Sequence, residues 1–193
     1  MKDEQFIRGA NPMTKMEIRN TIISYLDLKP GQSVLDIGAG TGSVIMQIKK
    51  WLPTVEAHAI ERTETGCALI AENAVCHDVH INIYQAEAPY FDLDSRLKFD
   101  RVFIGGTGHQ FKAIMLWLEE RHIKKGTTLV FSVLTLESQY EILTYLWNRK
   151  EVFKDIEASQ IQVNRLETLS DYHYFKPLNP CTIIKCVYGG EHV

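Results

Sequence analysis

Of the 193 residues only four are cysteine (Cys67, Cys76, Cys181 and Cys186), and none stands in a C-x-x-C pair. That spacing argues against a zinc site or a disulfide frame, and the expectation is free thiols behaving as small hydrophobes. No metal ligand set is expected. The chain also has no excess of positive charge. Its 21 Lys and Arg against 24 Asp and Glu leave a net charge of −3, too little basic field to hold nucleic acid. Adjacent lysines are rare, and Lys49-Lys50 and Lys124-Lys125 read as helix ends, where the dipole favours cations. The opening "MKDEQFIRGANP" lacks an apolar core, and no apolar run reaches membrane-spanning length. Repeats, low-complexity tracts and linkers are missing as well. A soluble, cytoplasmic protein with one sizeable core is the expectation, as a single domain over 1–193 whose first 28 residues cover a binding site.

What is present is an alternation of strand and helix patterns. "TKMEIRNTIISYLDL" puts Ile18, Ile22, Tyr25 and Leu26 on one helical face, with Thr14 and Glu17 in capping-box spacing. "SVLDIG" reads as a buried strand, followed by a helix carrying Val44, Ile45, Ile48, Trp51 and Leu52 and stopped by Pro53. "VEAHAIE" is a second strand, after which Thr63 caps a helix to about residue 74. "VHINIYQA" and "FDRVFIGG" are the third and fourth strands. A helix from about Gln110 ends near "KKG", "TTLVFSVL" is the fifth strand, and a helix covers 136–148. The stretches 152–166 and 172–188 read as a closing antiparallel pair. Such regularity predicts an α/β fold, a doubly wound, mostly parallel seven-stranded sheet of Rossmann-like form. In that architecture ligands bind at the carboxyl ends of the strands.

Two glycine turns fall there: "GAGTG" at 38–42 and "GGTG" at 105–108. In the first, Gly38, Gly40 and Gly42 form G-x-G-x-G, with Ala39 and Thr41 between them. The dinucleotide fingerprint wants its third glycine where this chain has Ser43. Acids at strand ends separate the alternatives. Glu61, 19 residues beyond Gly42, is placed to accept ribose hydroxyls and serves a nicotinamide nucleotide equally well. Asp36 discriminates, because an acid at the base of the turn repels a pyrophosphate and suits a cationic amine. Glu87 can accept an adenine amino group. Each acid alone could be a turn cap or a solvated strand end. Together they fit a cofactor with positive charge and no phosphate, S-adenosyl-L-methionine, as in class I methyltransferases.

The signatures of other methylases are missing. No Asn- or Asp-Pro-Pro-aromatic motif follows the fourth strand, and no cysteine nucleophile stands near strands four and five. Instead "NPMTKMEIR" at 11–19, "GAGTG" followed by "AIER" and "QAEAP", "GGTG", and "NPCTII" at 179–184 occur in sequence. In this set the chain resembles the decarboxylating cobalt-precorrin-6B C-15 methyltransferases of cobalamin synthesis, from about Asn11 to Ile184. Glu61 and Glu87 stand where Asp is commoner in that family, and a longer acid at the same strand end reaches the same hydroxyl. The resemblance implies methylation of a corrin precursor at carbon 15 with loss of the carbon-12 acetate carboxylate. It also implies a homo-oligomer, a tetramer, and cofactor contacts from Thr14, Arg62 and Ala88 beside the turn.

A corrin precursor is a wide ring carrying many carboxylates, so the second turn reads as its cradle. Gly105, Gly106 and Gly108 let backbone approach a bulky ring, His109 stands at the mouth, and backbone N–H groups at a helix start favour anions. Lys15, Arg19, Arg165, His173 and Lys176 are candidate holders of its carboxylates, although each is by type more often a solvated surface charge. The rival readings are another small class I methyltransferase acting on RNA, protein or a metabolite, a non-catalytic nucleoside-binding subunit, and a nicotinamide oxidoreductase.

Overall fold

The structure is a computed structural model that describes residues 1–9 and 12–190; Asn11, where the resemblance begins, lies outside the described residues. A short 3-10 turn, Asp3–Gln5, leads into α1 (Met16–Leu26). Then β1 (Ser33–Ile37), α2 (Ser43–Trp51), β2 (Glu56–Glu61), α3 (Glu64–Cys76), β3 (Asn82–Gln85) and β4 (Phe99–Ile104) follow. The second half runs α4 (Phe111–Arg121), β5 (Ile123–Val133), α5 (Leu136–Trp147), β6 (Phe153–Ile161), β7 (Asn164–Leu169), β8 (Tyr172–Pro177) and β9 (Cys181–Tyr188). Seven strands make one sheet in the order β3-β2-β1-β4-β5-β9-β6. β1 to β5 pair in parallel, and β9 runs antiparallel between β5 and β6. Among the described residues no helix is long and apolar enough to cross a membrane.

The central strands are apolar on both faces, as a sheet covered on both sides requires. Val102 and Ile104 belong to the core under α4 and α5, with Phe111, Leu118, Ile142 and Leu146. Phe103, between them, belongs to the opposite core with Ile22, Leu26, Ile45 and Ile48 of α1 and α2. The chain direction across the sheet reverses between β1 and β4. That switch point opens a crevice at the strand ends, and it is where the two glycine turns meet.

Four local expectations change. Thr14 does not cap α1: Lys15 is the cap residue without a side-chain cap bond, and the Thr14 carbonyl accepts from Arg19. Lys124 and Lys125 lie inside β5, because Ile123 pairs with Phe99 across a register shift and draws the strand back toward α4. Trp51 is half exposed rather than packed in the core. The late pair of strands resolves into β6 and β9 within the main sheet plus a separate β7–β8 hairpin, whose root is closed by the Leu178 amide donating to the Val163 carbonyl. Thr63 caps α3 as expected, its hydroxyl accepting from the Gly66 amide at 3.1 Å. The four cysteines are free thiols, with Cys181 and Cys186 buried and Cys76 exposed.

Candidate active site

At the switch point the strand ends enclose a cavity of about 620 Å³, within the range of small-molecule sites. Its floor is the first glycine turn. The amides of Gly38 and Ala39 donate to the Ile60 carbonyl, and the Gly105 amide donates to the Ile37 carbonyl, so the turns after β1 and β4 are tied to the ends of neighbouring strands. Gly38 has φ +72°, and a β-carbon on it would lie 2.8 Å from the Gly106 oxygen and 2.9 Å from the Gly106 nitrogen. The two glycine turns therefore rest directly on one another. They form one floor.

Glu61 ends β2, is 7% exposed, and lines the cavity. One carboxylate oxygen accepts from the Gly40 amide at 3.0 Å, and the other accepts from the Thr63 amide and hydroxyl at 3.0 and 2.7 Å. The acid organises the turn it faces. Glu87, two residues past β3, is exposed on the cavity wall and accepts from Gln110 Nε2 at 2.7 Å. Arg62, Ala88, Thr14 and Lys15 also line the cavity, with Gly38, Ala39 and Gly40 of the first turn and Gly105, Gly106 and Gly108 of the second.

Other expected residues lie elsewhere. Thr41 and Gly42 are buried behind the floor. Asp36 is 1% exposed and is not part of the cavity wall, so the direct meeting with a cofactor amine expected from the sequence gives way to a place behind the turn. It points toward the amino end of α2, and neither of its carboxylate oxygens has a hydrogen-bond partner. Burial pushes the Asp36 carboxyl up to about 8; the Ile45 amide, short of a well-formed hydrogen bond, opposes this, and the Glu61 charge adds to it. The unfolded chain ionises at this position near pH 4. The folded chain keeps the proton until about pH 8, so this group's contribution to stability is fully present below about pH 4 and is lost as pH rises through about 8, at up to about 1.4 kcal/mol per unit. Asp36→Asn is expected to flatten that slope in denaturant titrations between about pH 5 and 8. An unaltered slope would show that the carboxyl is not held neutral.

Of the five carboxylate-holding candidates, only Lys15 reaches the cavity. Arg19 is fully buried, with its donors spent on Asp3, Gln47, the Met1 carbonyl and the Thr14 carbonyl, which removes it from substrate contact. Arg165 binds Asp3 and Glu17, and Lys176 binds Glu167 within the hairpin. His173 is exposed on β8, away from the wall. His109 is exposed with φ +66° beside the mouth and does not line the cavity. Sequence reasoning missed the far wall, formed by Ser132 and Leu134 at the end of β5 and by Val163, Leu178, Asn179 and Cys181 at the hairpin root. The signal was available in part: β9 runs antiparallel, so its first residues must lie at the edge where β5 ends.

Residues 5–187 match the family model described as "Precorrin methyltransferase domain". The chain belongs to that family. The cobalt-precorrin-6B C(15)-methyltransferase (decarboxylating) of Salmonella typhimurium is 36% identical over 197 aligned positions, covering 100% of this chain and 98% of that protein. A probable enzyme of the same name from Pyrobaculum aerophilum is 31% identical, covering 94% of this chain and 92% of its own length. Among solved structures, a precorrin-6y C5,15-methyltransferase from Geobacter metallireducens superposes with a TM-score of 0.85 at 27% identity, covering 97% of this chain and 96% of that one. The fold is that of a class I methyltransferase, and the chain is a methyltransferase of precorrin chemistry.

Proposed function

We propose that this chain transfers a methyl group from S-adenosyl-L-methionine to carbon 15 of cobalt-precorrin-6B and promotes loss of the carbon-12 acetate carboxylate as carbon dioxide, giving cobalt-precorrin-8. The observation that supports this reading is the single floor made by two glycine turns, of which the first is anchored on Glu61 and the second leaves Gly106 facing open space. Glu61 is placed for the ribose hydroxyls, Glu87 for the adenine amine, and the backbone of Gly38 to Gly40 for the amino-acid end, with Thr14, Arg62 and Ala88 around them. When bound, the cofactor supplies an electrophilic methyl group. A β-carbon at Gly106 would meet nothing within 4 Å, which is the room a wide ring needs. Lys15 on the wall, and the turn before α4, offer positive charge and N–H donors to ring carboxylates. Holding the ring in line supplies most of the rate for a transfer that needs no covalent help from the protein. The whole chain acts as one unit in the cytoplasm, its first 28 residues covering the cofactor. Incubation with cobalt-precorrin-6B and methyl-labelled S-adenosylmethionine, read by mass and by released carbon dioxide, tests this. Methylation of another substrate class with none of this one would overturn it.

Two narrower outcomes follow from the same reading. Glu61→Ala is expected to weaken S-adenosylmethionine binding by about 1 to 3 kcal/mol in calorimetry, since two hydroxyls lose a charged acceptor and the Gly40 amide loses its anchor. An unchanged dissociation constant, or tighter binding of NAD than of S-adenosylmethionine by the parent protein, would remove Glu61 or the cofactor from the account. The β7–β8 hairpin exposes Leu166, Leu169, Tyr172 and Phe175 to between 61% and 77%, an apolar load that a second copy would cover. A homo-oligomer is therefore expected, and the family resemblance implies a tetramer. Light scattering giving only the 22.1 kDa monomer at micromolar concentration would exclude it.

A further inference from the structure

Among the described residues between the 3-10 turn and α1, the amino-terminal arm that reaches the cavity forms no helix or strand. Pro12, Met13, Thr14 and Lys15 line the cavity, and the Pro12 carbonyl oxygen lies 3.2 Å from where a β-carbon on Gly40 would stand. The arm thus rests on the first glycine turn. Side chains hold it there: Asn73 bonds both backbone groups of Ile7 and the Thr41 carbonyl, and an ionic cluster built on the buried Asp3 and Arg19 does the rest. The Arg19 guanidinium donates to the Thr14 carbonyl at 2.6 Å, the Met1 carbonyl at 2.7 Å and Asp3 Oδ1 at 3.0 Å, and stacks over the Phe6 ring at 4.7 Å. The second oxygen of Asp3 accepts from Arg165 Nη2 at 2.9 Å, and the same nitrogen donates to Glu17 Oε2 at 2.7 Å. Asp3 and Arg19 side chains are 1% and 0% exposed, while Arg165 comes from β7, 162 residues from Asp3. Two carboxylates and two guanidinium groups balance. Although burial works against ionisation of Asp3, Arg165 and Arg19 together hold its carboxyl below the ordinary range.

We propose that Arg165 is a positioning residue for the cofactor site: by bridging Asp3 and Glu17 it pins the amino-terminal arm over the first glycine turn, so that the β7–β8 hairpin helps to set cofactor affinity. The geometry supports a role beyond fold stability. The hairpin root, Val163 and Leu178, and the arm, Pro12 to Lys15, are both walls of one cavity. Arg165 ties the hairpin to Asp3 and Glu17, and Asp3 pairs with Arg19, which donates to the Thr14 carbonyl of the arm. A displacement of the hairpin is transmitted to the arm through Arg165 instead of being absorbed by loop. Arg19 holds the arm from within the core; Arg165 holds it from the hairpin.

The inference rests on the cofactor reading above, and the experiment separates the two. Calorimetry with S-adenosylmethionine and deuterium exchange of peptides spanning residues 1–19 are measured on the full chain, on Arg165→Ala and on Arg165→Lys. Loss of the two charge-assisted bonds is expected to raise the dissociation constant about threefold to tenfold and to speed exchange in the arm. Arg165→Lys keeps the charge but not the guanidinium fork, and is expected to restore part of both. If Arg165→Ala lowers the melting temperature but leaves affinity and arm exchange at parental values, Arg165 is structural only and the proposal fails. If Arg165→Ala does not fold, Glu17→Gln, which leaves the Asp3 pairs in place, carries the same measurements with the same criterion. If the parent protein does not bind S-adenosylmethionine, the cofactor reading fails, and the proposal falls with it.

Discussion

Gly106→Val is expected to fold, to bind S-adenosylmethionine within about threefold of the parent, and to lose at least about a hundredfold in turnover. The backbone at Gly106 is not in the left-handed region, and a β-carbon there meets no heavy atom within 4 Å, so the added β-carbon itself brings neither left-handed strain nor a clash. What it does introduce is a branched side chain in the volume assigned to the ring. A reacting carbon displaced by an ångström or so loses alignment with the methyl group, and the same displacement spoils the carboxylate that must leave. Methylation and decarboxylation should therefore fall together. A thermal melt comes first, because an unfolded variant tests nothing. If the folded variant loses cofactor affinity and keeps turnover at saturating cofactor, the two turns have exchanged roles. If it keeps full activity, the ring binds elsewhere.

Much of the floor was legible in the sequence because glycine and acid positions at strand ends are local signals. Gly38, Gly40, Glu61 and Glu87 each sit within a few residues of an apolar run that announces a parallel strand, and the topology of such sheets brings those ends together. The far wall was not legible, because it depends on which strands become neighbours. Ser132 and Asn179 face one cavity only because β9 inserts between β5 and β6 in reverse direction, and an antiparallel closing pair alone does not say between which strands it inserts. Arg19 and Arg165 were misplaced for a related reason. An isolated arginine reads as a solvated charge or an anion holder, but both here are held by Asp3, sixteen residues from Arg19 and 162 from Arg165, and only Arg19 is fully buried. Charge pairing at long separation leaves no periodicity in the chain. The same limit applies to Asp36: its side of the sheet follows from strand alternation, yet its isolation behind the turn follows from how α2 packs there.

Gly38→Ala is the counterpart that tests whether the two turns are one floor. The Gly38 backbone has φ +72°, where a β-carbon is strained, and that carbon would stand 2.8 and 2.9 Å from the Gly106 oxygen and nitrogen. Those are backbone atoms, pinned by the Gly105 amide on the Ile37 carbonyl, and cannot swing aside as a side-chain end would. Strain and overlap together are expected to cost about 2 to 4 kcal/mol of stability in denaturant unfolding. Relief comes only by parting the turns. Parting them moves Gly38 to Gly40 on one side and Gly105 to Gly108 on the other, so cofactor affinity and turnover at saturating cofactor should both fall, each by at least about tenfold. Gly106→Val is expected to divide the two properties; Gly38→Ala is expected to damage both. The distinction is sharp because the alanine itself never enters the ring's space. It acts only through the contact between turns. A folded Gly38→Ala protein with parental turnover at saturating cofactor would mean that the second turn holds its place without the first, and that the shared floor plays no part in presenting the ring.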